Sequence, residues 1–229
     1  MMKKVIVIIG FFVTSHLSVY SQQSEDRKLS SFDKVSVLSE VNVYMTKGVS
    51  ESVKINASGI GLNDVQTIVN GKTLQIELSR SFQKGAKVEI YLTYKEVREI
   101  NVASAGKVSV QDTLVGDKVV LNVITSGELD SELKLRTIDV KVGQSGIIRL
   151  KGKVGSMDAK VTTGGILSAF DLLSDSTYVK VSSTGTAKVF VNSLLDADLK
   201  TGGNLSYTGK PKQKVIKTGI GTTITSVDE

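Results

Sequence analysis

The sequence predicts an all-β parallel β-helix or β-solenoid of about seven coils, preceded by irregular, hairpin-rich β structure. Three observations carry this prediction. A short unit recurs seven times, centred on Gly106, Gly127, Gly146, Gly165, Gly185, Gly203 and Gly221, at spacings of 18 to 21 residues. Self-similarity at such a period marks a stacked architecture in which no unit buries its apolar face alone. Around each glycine the apolar residues alternate with period two, which is the signature of strands. Val102, Val123, Val142, Val161, Val181 and Leu199 stand four residues before it, and Val108, Leu129, Ile148, Leu167, Ala187 and Leu205 two residues after. Finally, a repeat of about 19 residues leaves no room for a crossover helix, which needs a dozen or more residues beside its strands.

The elements follow in order along the chain. Lys3 and Lys4 precede the apolar run Val5–Val13, and Val19 and Ser21 are spaced by two. Residues 1–21 therefore read as a secretory signal peptide cleaved after Ser21 to leave Gln22, the run being too short for a membrane span. Residues 22–30, polar and charged, are expected to be a mobile tail. Over 31–98 the alternations Val35/Val37, Val41/Val43, Val53/Ile55, Leu74/Ile76/Leu78 and Val88/Ile90/Leu92 predict irregular strands or the first coils. Asn70-Gly71 is a two-residue hairpin signal, and Lys47-Gly48 and Gln83-Lys84-Gly85 are further turns. Residues 99–229 are the repeat solenoid, with a turn at Gly209-Lys210-Pro211-Lys212 before the weakest repeat.

Each glycine is expected at a corner, in the left-handed backbone region that glycine reaches without steric cost. Two residues before it, Ser104, Thr125, Gln144, Thr163, Ser183 and Thr201 form a polar column, expected to hydrogen-bond corner backbone groups.

The stretch Ser31-Phe32-Asp33-Lys34-Val35, then Val41-Asn42-Val43-Tyr44-Met45-Thr46-Lys47-Gly48, resembles the opening of the bacterial exported domain called the putative auto-transporter adhesin, head GIN domain. The serial Ser-Ala-Gly, Thr-Ser-Gly, Gln-Ser-Gly and Ser-Thr-Gly corners resemble its Ser-Gly-rich repeats, and Leu205-Ser206-Tyr207-Thr208-Gly209-Lys210-Pro211 resembles its end. The resemblance covers roughly residues 32–225. It implies a right-handed β-helix-like fold, and it carries over no catalytic residues.

Composition excludes several chemistries. The chain has no cysteine and one histidine, His16, which leaves with the signal. The mature chain thus has no histidine or thiol for a Ser-His-Asp triad, a Cys-His pair or a histidine-bound zinc or copper site. There is no acylated cysteine to anchor it, no disulfide, and no GxxxxGK[ST] phosphate loop. The net charge of +6 falls to about +4 once Lys3 and Lys4 are removed, leaving 27 basic against 23 acidic residues. No basic cluster carries interleaved aromatics, so no nucleic-acid partner is expected. No enzyme activity and no cofactor are expected.

Two surface constellations stand out. Glu128, Asp130 and Glu132 share the outward face of one strand and are candidates for calcium, which takes oxygen ligands; a solvated strand face is the alternative. Lys141, Lys160 and Lys180 hold one outward position in consecutive repeats, so stacking would align them about 4.8 Å apart as a candidate polyanion-binding ladder. Asp139 and Asp158 stand two residues earlier on the same face, and the sequence favours a face neutralised by these acid–base pairs. The expectation is an exported, adhesin-like or envelope-binding module of a bacterial periplasm or cell surface, without a transmembrane span or lipid anchor. Its partner would be a glycan, a protein or an envelope surface. A structural assembly module, associating as a homo-oligomer through the solenoid ends, is the alternative, and a carbohydrate-active β-helix enzyme is the least favoured reading.

Overall fold

The computed structural model describes residues 22–79 and 85–227. The signal peptide expected over 1–21 lies outside the described residues, as do Gln83 and Lys84 of one expected turn. Alternation of buried and exposed side chains sets nearly every strand, and the strands join into one continuous ladder.

The chain opens with β1 (Gln23–Lys28), β2 (Lys34–Val37) and β3 (Asn42–Lys47), then β4 (Ser52–Ser58), β5 (Val65–Asn70), β6 (Thr73–Leu78) and β7 (Lys87–Tyr94). β2 and β3 form one coil, and β6 and β7 pair parallel with them as the neighbouring coil. β5 is antiparallel to β6, β4 to β7, and β1 to β4. The hairpin at Asn70-Gly71 is present, with Gly71 and Lys72 as its loop and Asn70 facing Thr73. Gly71 takes a φ of +61° there, and glycine at the first central position suits a tight hairpin.

The expected mobile tail is instead an ordered strand. β1 closes this end of the rod because β4 would otherwise present an unpaired edge. Arg27 fixes it: its guanidinium donates to Val65 O at 2.6 Å, Leu62 O at 3.0 Å, Thr67 Oγ1 at 3.1 Å and Glu25 Oε2 at 2.7 Å. Charged residues that look like a tail in sequence are thus those that an edge strand uses.

The repeats supply β8 (Glu99–Val102), β9 (Lys107–Val110), β10 (Leu114–Val123), β11 (Glu128–Val142), β12 (Ile147–Val161), β13 (Ile166–Ala169), β14 (Leu172–Val181), β15 (Thr186–Phe190), β16 (Leu194–Leu199), β17 (Asn204–Thr208), β18 (Gln213–Thr218) and β19 (Thr223–Ser226). All pair parallel, making a β-solenoid of about seven turns. The strand segment before each corner forms a first face and the segment after it a second. A third face, narrower, stacks Leu114–Gly116, Leu133–Leu135, Gly152–Val154 and Leu172–Ser174.

Inward side chains stack in columns, such as Ile100, Leu121, Val140, Ala159, Val179 and Ala197 in successive coils, all buried. Each large aliphatic member contributes about 1.5–3 kcal/mol by leaving water, so a cysteine-free rod holds together through its core and ladders. The last member, Ile216 on β18, is 40% exposed because no coil follows it among the described residues.

The corners depart from expectation in an informative way. The left-handed residues are the two preceding each repeat glycine: Ser104 and Ala105, Thr125 and Ser126, Gln144 and Ser145, Thr163 and Gly164, Ser183 and Thr184, Thr201 and Gly202. Gly106, Gly127, Gly146, Gly165, Gly185 and Gly203 do not have positive φ. They are glycines because a Cβ would strike the coil before: 2.9 Å from Val102 O at Gly127, 2.7 Å from Val123 O at Gly146, 2.6 Å from Val181 O at Gly203. The repeat glycine therefore answers close stacking of coils. In the last coil Thr223 pairs with Asn204, so Thr222 holds the place of Gly203, and Gly221, at φ +67°, belongs with Gly202, one residue from the expected alignment.

Left-handed Thr and Gln cost roughly 1–2 kcal/mol each, and a main-chain ladder offsets this. The second corner residue donates to the carbonyl of the first in the next coil: Ala105 N to Thr125 O, Ser126 N to Gln144 O, Ser145 N to Thr163 O and Gly164 N to Ser183 O, at 3.0–3.1 Å. The polar column does not cap backbone groups as expected. Among the described residues its one side-chain link between coils is Thr125 Oγ1 donating to Gln144 Oε1 at 2.8 Å.

Candidate functional site

The first face carries the strongest column of like charge. Register stacks Asn101, Asn122, Lys141, Lys160, Lys180, Asp198 and Lys217 in one line. The three lysines lie in consecutive coils as the spacing predicts, and all are exposed. Neighbouring strands lie about 4.8 Å apart, a separation at which two unit charges in water repel by roughly 1 kcal/mol.

The acids beside them do not pair with them as expected. Asp139 is held by Lys118 at 2.6 Å, and Asp198 by Lys200 at 3.5 Å. Asp158 forms no ion pair, and neither do Lys141, Lys160 or Lys180, within 4 Å of any acid among the described residues. Lys118 reaches Asp139 diagonally from the previous coil, where it stands opposite Thr137. In the next column Tyr178 stands between Asp158 and Asp196, 42% exposed. At the head of the column, Asn122 Nδ2 donates to Asn101 Oδ1 at 2.7 Å and Asn101 Nδ2 to Glu99 Oε1 at 3.0 Å. Glu99 is held below the usual carboxylate range by Asn101, then by Lys34 at 3.1 Å, with a smaller pull from Lys141.

The calcium candidates sit on the second face, and cations already engage them. Glu128 is 2.9 Å from Lys107 and 3.1 Å from Arg149, Asp130 is 3.3 Å from Arg149, and Glu132 is 3.1 Å from Lys151. Lys107 and Arg149 hold Glu128 below the usual range, and Lys151 does the same for Glu132. The three share a strand face, but among the described residues no three carboxylates converge on one point. Sequence spacing showed the acids; it did not show Lys107 and Arg149, which stacking delivers from the coils on either side.

A groove of about 390 Å³ runs beside the start of β10, between Lys95–Arg98 and Thr113–Val119. Tyr94 lines it, and burial pushes its hydroxyl up to about 12, so it holds its proton at neutral pH. No helix among the described residues is long and apolar enough to cross a membrane.

These features define a capped β-solenoid. Residues 31–211 match the family described as "putative auto-transporter adhesin, head GIN domain", and the chain belongs to that family. Among solved structures, a putative adhesin from Bacteroides fragilis NCTC 9343 superposes with a TM-score of 0.76 at 21% identity, covering 90% of this chain and 97% of that one. A putative adhesin from Parabacteroides distasonis ATCC 8503 gives 0.73 at 20% identity, covering 91% and 98%. A protein of the same organism described as a putative lipid binding protein gives 0.64 at 20% identity, covering 90% and 96%. At these identities the likeness shows the fold alone. No curated protein matches the chain.

Proposed function

We propose that this chain is an exported, non-catalytic, adhesin-like module that uses the first face of its solenoid to bind an acidic partner surface. The observation that carries this reading is the stack of Lys141, Lys160 and Lys180, in register and without ion pairs among the described residues. An aligned cation column raises the local concentration of anions and steers them to the face, and a rigid core fixes the spacing before binding. The family's description as an adhesin domain supports the reading.

The test is titration of residues 22–229 with heparin at low and physiological salt. Micromolar binding at physiological salt, weakened at least tenfold by replacing the three lysines with Ala, is the expected result. Binding that is unchanged in that variant refutes the face. Export has its own check: terminal sequencing of the native protein should find Gln22, and Met1 on cytoplasmic protein refutes it.

A further inference from the structure

The corner ladder uses one main-chain amide per coil and leaves another over. At each corner the second left-handed residue donates to the next coil, and the repeat glycine donates back across the turn, as Gly146 N does to Gly143 O at 2.9 Å and Gly165 N to Thr162 O at 2.9 Å. The amide of the first left-handed residue donates to no acceptor among the described residues in any of the six corners from Ser104 to Thr201. All six residues are exposed. The rod therefore carries a ridge of unused N–H donors, one per coil, repeating at about 4.8 Å.

This ridge meets the lysine column in three coils. Lys141, Lys160 and Lys180 stand three residues before Gln144, Thr163 and Ser183. On the other flank the same three coils begin the second face with Ile147, Ile166 and Thr186, which carry no negative charge. In the coil before, that position is Glu128, already held by Lys107 and Arg149. Toward the open end the lysine column gives way to Asp198. Ammonium groups, free amides and the absence of acid on the second-face flank thus coincide over three consecutive coils.

We propose, building on the reading of the first face as an anion-binding surface, that its ligand is an extended acidic polysaccharide lying along this corner, parallel to the rod. Each of the three coils offers one anionic group an ammonium and a main-chain N–H: Lys141 with Gln144, Lys160 with Thr163, Lys180 with Ser183. Hydrogen bonds from N–H to a carboxylate or sulfate oxygen are charge-assisted and shorter than neutral ones. An amide without a protein acceptor gives up only water to make one. A charge every coil along a straight line suits a linear polymer with regularly repeated anionic groups.

The test is a ¹⁵N–¹H titration of residues 22–229 with polygalacturonate and with dextran sulfate, and duplex DNA in parallel. The expected result is amide shifts at Gln144, Thr163 and Ser183, clearly larger than at the ladder amides of Ser126 and Ser145 or at the distant ridge amide of Ser104. The Lys141→Ala/Lys160→Ala/Lys180→Ala variant should lose at least tenfold in affinity for whichever polysaccharide binds. Binding that depends on the lysines but leaves the three ridge amides unshifted overturns the ridge while sparing the first-face reading. No binding of either polysaccharide overturns both. Equal affinity for duplex DNA shows that charge alone is read, and overturns the assignment to polysaccharide.

Discussion

Two adjacent glycines separate the two demands that a corner makes. Gly164 has a φ of +67°, yet a Cβ there would meet only Ser145 Oγ at 3.7 Å, and other coils place Ala105, Ser126, Ser145 and Thr184 at the same position. Gly165 does not have positive φ, but its Cβ would lie 2.8 Å from both C and O of Val142 and 2.9 Å from Gly143 Cα, all main-chain atoms pinned in ladders. For Gly164→Ala, the left-handed penalty of roughly 1–2 kcal/mol is offset by about 0.4–1 kcal/mol from a less flexible unfolded chain, a net loss of about 1 kcal/mol. Gly165→Ala forces two coils apart, with an overpacking cost of about 3 kcal/mol. In a chain of this size each kcal/mol moves Tm by roughly 2–4 °C, so the expected losses are about 2–4 °C and about 6–12 °C. Thermal melts by far-ultraviolet circular dichroism, with urea titrations for the free energies, read both. Equal losses, or a larger loss for Gly164→Ala, would refute the view that the repeat glycine serves coil stacking and not backbone handedness.

Two further outcomes are expected. Arg27→Ala removes the three hydrogen bonds, to Val65 O, Thr67 Oγ1 and Leu62 O, that tie β1 to the end of the rod; at about 1.5–3 kcal/mol for a bond to a charged group, shared over a partly exposed site, the loss should be about 2 kcal/mol, with early proteolytic cleavage in residues 22–30 as the direct readout and an unchanged cleavage pattern counting against the plug. Glu128 titrates below its ordinary 4.5 in the folded chain because of Lys107 and Arg149, so its pairing contributes stability that is complete above pH 4.5 and is lost as pH falls through the lower folded value; Tm should hold steady from pH 7 to 5 and drop below 4.5, and Glu128→Gln should flatten that drop.

Much of the fold was legible because stacking is periodic. Alternating valines such as Val123, Val142 and Val161 could face only inward, and the register they imply is the one observed. Lys141, Lys160 and Lys180 line up for the same reason. What depended on contacts between coils was not legible. The repeat glycine looks like a turn residue in sequence, and only the nearness of Val123 O or Val142 O shows its role. Residues 22–30 read as solvated because the edge of β4 that they cover is formed by a segment thirty residues on. The partners of Glu128 and Asp139 come from neighbouring coils about twenty residues away, where helix- or strand-local spacing rules give no guidance.

The two ends of the rod are unlike, and this gives it a direction of growth. β1 through β7 complete the closed end within the first 94 residues, including the Arg27 plug, before any of the seven repeats is needed. Every later coil lays its strands on an edge already in place, and β18, in the last described coil, has all six residues exposed. Length in such an object is a matter of counting. A coil of 18 to 21 residues gained or lost beyond β12 moves the far tip by about 4.8 Å and leaves the plug as it was. The length of the rod can therefore drift in small even steps while the closed end stays constant.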